Sequence, residues 1–151
     1  MREVSGTTWT FQIMILFILI FACFLTLVLS YSKAYTVKNE MLSIIEKYEG
    51  VTEGDEGSLA IINNYLYQNS YKTKGQCPEG WYGAKDYAGT IEVSQGNGGY
   101  LYCFKEESAG KKIYYNIRLF YRFNLPVIGE IATFKVNGRT DSFIGSNSRI
   151  G

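Results

Sequence analysis

Side chains that commonly carry chemistry are few in this sequence. Its 151 residues include three cysteines and no histidine, so the commonest general base and the commonest metal ligand are missing. Three cysteines do not complete a structural zinc site. The acidic loop 53–57 lacks the ligand spacing of a calcium site, and no pair of carboxylates has a catalytic spacing. We therefore predict no catalytic residue, no metal and no cofactor, and expect a protein that is not an enzyme.

Cys77 and Cys103 form an even pair in the C-terminal part of the chain, and neither belongs to a Cys-x-x-Cys motif. We predict a disulfide between them, which would stabilise the domain by about 3 kcal/mol through the lost entropy of the unfolded chain. Because disulfides persist outside the cytosol, the pair predicts an extracytoplasmic domain. The alternative is two free buried thiols in a cytosolic domain. Cys23 lies in an apolar run, where we expect it to act as a small apolar side chain.

Charge gives no sign of a nucleic-acid partner. The 15 basic and 14 acidic side chains leave a net charge of +1, and in sequence order the cations are scattered. One predicted strand alternates Arg118 and Arg122 with aromatic residues. Stacked arginines of this kind can bind a partner, although cross-strand packing accounts for them equally well.

The N-terminal part of the chain is dominated by an apolar run. Residues 13–29 carry no charge, and with their flanks they reach about 20 residues, enough to span a ~30 Å hydrocarbon core. Trp9 and Tyr31 stand at its two ends, as in the aromatic belts of membrane proteins. We predict a single transmembrane helix in contact with membrane lipid. A cleaved signal peptide, a lipoprotein anchored at Cys23 and a buried helix of a soluble protein are the alternatives.

The remaining pattern predicts an α+β fold: a long N-terminal helix, transmembrane and then amphipathic, packed on a small antiparallel β-sheet. Gly50 is expected to end this helix, and Ser58 to cap a second one. A turn is expected at Asn137-Gly138. The predicted segments are a short cytoplasmic leader at 1–10, the transmembrane helix at 11–31, its continuation at 32–49 and a β-rich extracytoplasmic domain at 50–151. The predicted inner elements are a helix at 59–68 and strands at 90–93, 100–104, 113–123 and 130–136, with 71–99 otherwise a loop.

The N-terminus has a short charged leader that ends in Gly6, directly before the apolar helix, with Phe11 five residues on. This arrangement resembles the TadE-like pseudopilins, which are membrane-anchored minor components of pilus and secretion systems. The resemblance implies processing between Gly6 and Thr7, and partners that are other pilin-like or secretion-system subunits. Thr10 stands where the family has a glutamate. Because of this difference, we do not expect the chain to be a major filament subunit. The helix-packing positions that the resemblance implies are Phe11, Ile15, Ile18 and Ala22.

From these features we predict a membrane-anchored structural or assembly component, similar to a pseudopilin, in a pilus or secretion system. Its location would be the cell membrane, with a single pass and the C-terminal domain outside, or the cell surface or pilus. The alternative is a membrane-tethered module that binds an extracytoplasmic ligand or mediates adhesion. A concave aromatic pocket would favour that alternative.

Overall fold

The computed structural model describes residues 2–54, 56–87, 90–96, 98–125 and 129–144. A long helix packs against a six-stranded antiparallel sheet, which confirms the predicted α+β class. The elements in chain order are α1 (Arg2–Lys47), α2 (Ser58–Gln68), β1 (Tyr82–Tyr87), β2 (Thr90–Ser94), β3 (Tyr102–Ala109), β4 (Lys112–Leu125), β5 (Gly129–Arg139) and β6 (Phe143–Ile144).

Helix α1 has 46 residues and runs without a break from the N-terminal segment into the domain. It begins at Arg2, so the predicted leader is helical from its second residue. The helix ends at Lys47, two residues before the predicted end at residue 49. There Glu49, with φ of 52°, takes the left-handed position, and the backbone N–H of Gly50 bonds the carbonyl of Ile45. The backbone N–H of Glu49 also bonds the carbonyl of Glu46. These two hydrogen bonds satisfy carbonyls in the last turn of the helix, and the chain then turns towards α2.

Ser58 does not cap α2 in the predicted way. Gly57 occupies the N-cap position and has no side chain to cap the helix, and the Thr52 hydroxyl accepts from the backbone N–H of Ser58 at 2.8 Å. The Ser58 hydroxyl instead donates to the Gly50 carbonyl at 3.0 Å and accepts from the backbone N–H of Thr52 at 2.9 Å. Because Ser58 is fully buried, these bonds satisfy a polar group that would otherwise be costly, and they close the loop between the two helices.

The sheet has the strand order β2-β1-β3-β4-β5, and β6 pairs with β4 beyond the end of β5. Strand β1 lies within a segment that was predicted to be mostly loop because it is rich in glycine.

The predicted turn at Asn137-Gly138 is wrong, because both residues belong to β5. Gly138 leaves room for α1: a Cβ there would lie 3.0 Å from side-chain carbons of Lys38 and Leu42, which would have to shift. The glycine lets the helix approach the strand closely.

The core lies between one face of the sheet and the C-terminal half of α1, with α2 at its side. Tyr31 packs edge-on against Tyr121 with 6.5 Å between ring centroids, and Gly50 lies beside Tyr115. Residue numbers therefore fall along α1 as they rise along β4, so the two elements are antiparallel. The largest fully buried side chains include Met41, Ile45, Leu59, Ile62, Leu66, Tyr100, Tyr102, Phe104, Ile117 and Leu119.

Candidate functional site

The N-terminal half of α1 projects from the domain with its apolar side chains uncovered. By length and composition, α1 is long and apolar enough to cross a membrane, and no residue of its most hydrophobic stretch is buried within the protein. Phe17 is 70% exposed and Leu29 is 69% exposed. Exposed apolar area of this extent marks a surface that contacts lipid or other protein.

Polar groups within this apolar surface are satisfied by the helix itself. The Thr10 hydroxyl donates to the Gly6 carbonyl at 2.9 Å, and Thr26 donates to the Ala22 carbonyl at 2.9 Å. Such bonds keep these two hydroxyls paired when the helix enters an apolar medium. Gly6 and Thr7 are both exposed on the helix. A Cβ on Gly6 would meet no atom within 4 Å.

Three of the four predicted helix-packing residues are exposed and touch no part of the sheet domain's core. Phe11, Ile15 and Ile18 are exposed, whereas Ala22 is half-buried. At about 100° per residue these four side chains form one line along the helix, which we call the lateral row. The lateral row lies roughly a quarter turn from Met41, which is buried against the sheet. Its side chains are therefore turned to the flank of the domain.

The domain starts to cover α1 inside the apolar run. Cys23, Thr26, Leu27 and Ser30 are half-buried on one face, and Leu27 packs against the core. This face continues into the buried positions that begin at Ala34. Helix and sheet are thus in contact over more of the sequence than the predicted boundary at residue 31 implied.

The opposite face of the sheet is crossed by residues 72–81, which we call the strap. A disulfide joins Cys77 in the strap to Cys103 in β3, with 5.6 Å between their Cα atoms. Gly75 and Tyr100 exchange two backbone hydrogen bonds, each of 2.9 Å. The ring of Trp81 lies 5.0 Å from the guanidinium of Arg118 on β4. The predicted disulfide is confirmed, and its effect is to hold the strap against the outer sheet face.

The strand register gathers cations on this outer face. Arg118 pairs with Asn137, and Arg122 pairs with Thr133, so each arginine has a polar neighbour on β5. Lys135 and Arg139 share the face, because directly paired residues point to the same side. In sequence order these charges looked scattered, and only the pairing of β4 with β5 brings them together. We call Arg118, Arg122, Lys135 and Arg139 the cationic row.

Neutral partners hold two arginines of the cationic row in place. Arg118 donates from Nε to the Asn137 side-chain oxygen at 2.8 Å and also stacks on Trp81. The guanidinium of Arg139 lies 4.8 Å from the centre of the Tyr114 ring. Stacking and amide hydrogen bonds restrict the side chains without cancelling their charge.

One carboxylate on this face, Glu107, is already engaged. It accepts from the Tyr114 hydroxyl at 2.8 Å and lies 3.2 Å from the Lys105 ammonium. The Tyr114 hydrogen bond, followed by Lys105, holds the pKa of Glu107 below its usual range. Glu107 is therefore ionised and engaged by its own neighbours on β3 and β4.

Two grooves lie beside α2. The first, between α1 and α2, is lined largely by polar side chains, among them Glu40, Lys47, Asn64 and Tyr65. The second has a volume of about 200 Å³ and is lined by Leu66, Tyr67, Tyr71, Lys72 and Leu101, together with Asn63 and Lys74. With Tyr67 and Tyr71 in its wall, the second groove is more like the concave aromatic pocket that would favour a tethered binding module.

Comparison with protein-family models, with curated proteins and with solved structures finds no match to this chain. The architecture itself is pilin-like, with a long apolar N-terminal helix packed on an antiparallel sheet.

Sequence reasoning identified the helix and the disulfide, but it missed the strap and the cationic row. Alternation of arginine with aromatic residues on β4 was the available signal. Its significance depends on what β5 places opposite.

Proposed function

We propose that the chain is a membrane-anchored, non-catalytic assembly component, similar to a minor pseudopilin of a pilus or secretion system. The observation that carries the proposal is the continuity of α1, whose uncovered apolar half leads directly into the half that packs on the sheet. A lone helix satisfies its own backbone in lipid, which suits such a segment to a bilayer. The disulfide supports a location of the sheet domain outside the cytoplasm.

Contact with other subunits would use the lateral row. Its side chains are apolar and lie on the flank of the domain, so a neighbouring helix can approach them without displacing the sheet. Thr10 fits this arrangement, because its hydroxyl is bonded to Gly6 and carries no charge into the helix interface. A minor subunit needs no acidic side chain at this position to join apolar helices.

The test is cysteine cross-linking in the membranes of the native host. Cys23 is first replaced by alanine, and then single cysteines are placed at Phe11 or Ile18 in the lateral row. Ile13 and Ile20 serve as matched controls, since they lie on nearly the opposite side of the helix. Each single cysteine is labelled with a benzophenone maleimide, which on illumination inserts into a C–H bond of the chain beside it, so the partner needs no cysteine. We expect illumination to join the lateral-row variants to a second pilin-like subunit and to leave the control variants unlinked.

Equal cross-linking at all four positions, or none at any, would contradict the proposal. The mass of the mature N-terminus gives an independent reading. A start at Thr7 supports prepilin-type processing, whereas a start near residue 33 would mean cleavage of a signal peptide and loss of the anchor.

A second candidate, the membrane-tethered binding module, is favoured by the cationic row on the outer sheet face. The two functions use different surfaces of the protein, so one does not exclude the other.

A further inference from the structure

The cationic row has a regular spacing along the sheet. Residues two apart on one strand face the same side and lie about 6.8 Å apart. Arg139 stands opposite Asn116, Lys135 stands opposite Phe120, and Arg118 falls between these two levels on β4. Arg122 follows one level beyond Lys135. Four successive levels therefore carry one cation each, over a length of about 20 Å.

Charge on this row is concentrated and accessible. Lys135 and Arg139 are exposed, and Arg118 is half-exposed between the strap and β5. Of the side chains that the structure describes on this face of β3, β4 and β5, the carboxylate is Glu107, which Lys105 and Tyr114 already engage. The strap adds one exposed carboxylate, Glu79, so the described cations of this face outnumber its described carboxylates. Such a face attracts anions and raises their local concentration.

The direction of the row favours a linear ligand. The row follows β4, which is antiparallel to α1, so it runs along the helix axis. With α1 in a bilayer, the row would stand along the membrane normal. A lipid surface would then meet one end of the row and not its length. An extended chain with repeated negative charges can contact all four levels.

The aromatic side chains beside the row are already covered. Arg118 stacks on Trp81, Arg139 stacks on Tyr114, and Phe120 is only 5% exposed beneath Gly75. Nucleobases bind single-strand sites largely by stacking on open aromatic rings. Sugar rings would likewise meet the half-buried rings of Trp81 and Tyr114, each of which already stacks with an arginine. What the described face offers is charge, much of it on guanidinium forks, which match phosphate oxygens well.

We propose that the cationic row binds a linear phosphate polymer that carries no bases, such as a polyphosphate or a polyol phosphate chain. The ligand would lie along the sheet face between the strap and β5, with successive phosphates on successive levels. This inference takes from the proposed function only the membrane anchoring of α1, which sets the direction of the row. It does not use the contacts between subunits, so cross-linking of the lateral row neither supports nor weakens it.

Trp81 provides the measurement. The chain has two tryptophans, so replacing Trp9 with phenylalanine leaves Trp81 as the single reporter beside Arg118. The full-length chain in non-ionic detergent is titrated with inorganic polyphosphate, and Trp81 emission is followed at several salt concentrations. The test variant is Lys135→Gln with Arg139→Gln. The matched control is Lys33→Gln with Lys47→Gln, which removes two exposed cations from α1 on the opposite side of the sheet.

We expect saturable binding that weakens with salt. Loss of two phosphate contacts should lower the affinity by roughly 25-fold at about 0.1 M salt and reduce the salt slope by about 1.4, from about 0.7 per contact. The control pair should change neither. Circular dichroism and an intact disulfide would establish that both pairs fold.

Three results would overturn the proposal. Equal weakening by both pairs would mean a diffuse charge effect with no site. Tighter binding of an oligothymidylate or of polyglutamate than of polyphosphate would assign the face to another class of ligand. No saturable binding would leave the cations as a charged edge that protects β5 from pairing with other strands.

Discussion

Gly75 in the strap lies directly against the ring of Phe120 on β4, so closely that a Cβ at position 75 would overlap the ring. The contact occurs on the sheet face opposite α1, where it buries Phe120 under backbone. A side chain larger than hydrogen would separate the strap from the sheet at this point.

Gly75→Ala is therefore expected to destabilise the domain by about 1–3 kcal/mol, the usual cost of overpacking. Urea unfolding of the detergent-solubilised chain, followed by circular dichroism, measures the change. Gly99→Ala is the matched control, because its Cβ would lie 3.5 Å from Lys74 in ordinary contact. Similar unfolding midpoints for the two variants would contradict this account of the strap.

Removal of the disulfide should also loosen the strap. Cys77 and Cys103 are 26 residues apart, and a cross-link of this span stabilises by about 3.5 kcal/mol through the unfolded chain's lost entropy. We expect the double Cys→Ser variant to unfold at lower urea concentration by a corresponding amount. Reductant should lower the wild-type midpoint to that of the variant and leave the variant unchanged. An effect of reductant on the variant would point to a different cause.

Two buried tyrosines should respond oppositely to loss of their hydroxyls. Tyr115 donates to the Glu106 carboxylate at 2.6 Å, and a bond of this kind contributes about 1.5–3 kcal/mol. The Tyr102 hydroxyl is buried and finds no hydrogen-bond partner among the described residues. Tyr115→Phe should therefore destabilise the domain, and Tyr102→Phe should leave its stability unchanged or raise it. Equal losses in the two variants would refute the assignment of Tyr102 as an unsatisfied hydroxyl.

Alkaline pH should weaken the fold through the same tyrosines. Burial raises the pKa of Tyr102, and burial together with nearby Tyr121 raises the pKa of Tyr71, both from a usual value of 10.0. A raised folded-state pKa means that the stability from the neutral phenol is fully present below pH 10 and is lost as pH rises through the folded pKa. The urea midpoint should fall above pH 10, with phenolate absorbance from these rings appearing as the chain unfolds. Tyr102→Phe should show a shallower fall, and an identical pH profile would contradict the prediction.

The fold was largely predictable from sequence because its main signals are local. An uncharged apolar run predicts a helix whatever surrounds it, and alternation from Ile113 to Phe123 predicts a strand. The errors came from contacts between distant residues. Gly138 reads as a turn residue in sequence, but it serves the approach of β5 to Lys38 and Leu42. Ser58 has the features of a cap, and it bonds Thr52 and Gly50 instead.

The candidate surfaces divide in the same way. The residues of the lateral row were implied by the resemblance, and helix periodicity is enough to place them on one side of α1, so the row could be predicted. The cationic row depends on which residues β5 places opposite β4, and this register is decided by packing of the buried face against α1. Trp81 was hidden for a similar reason, because its position over Arg118 depends on a disulfide between Cys77 and Cys103, which are 26 residues apart in sequence.

Because α1 passes from its projecting half into the domain without a loop or a hinge, the helix transmits torsion. A rotation of the N-terminal half about its long axis must turn the sheet through the same angle. The orientation of Arg118 and Lys135 about the helix axis is thus fixed by the contacts of Ile15, which lies about 35 Å away along the helix. A substitution at Ile15 that rotates the helix about its axis would turn the charged face by the same angle and leave the contacts within that face unchanged.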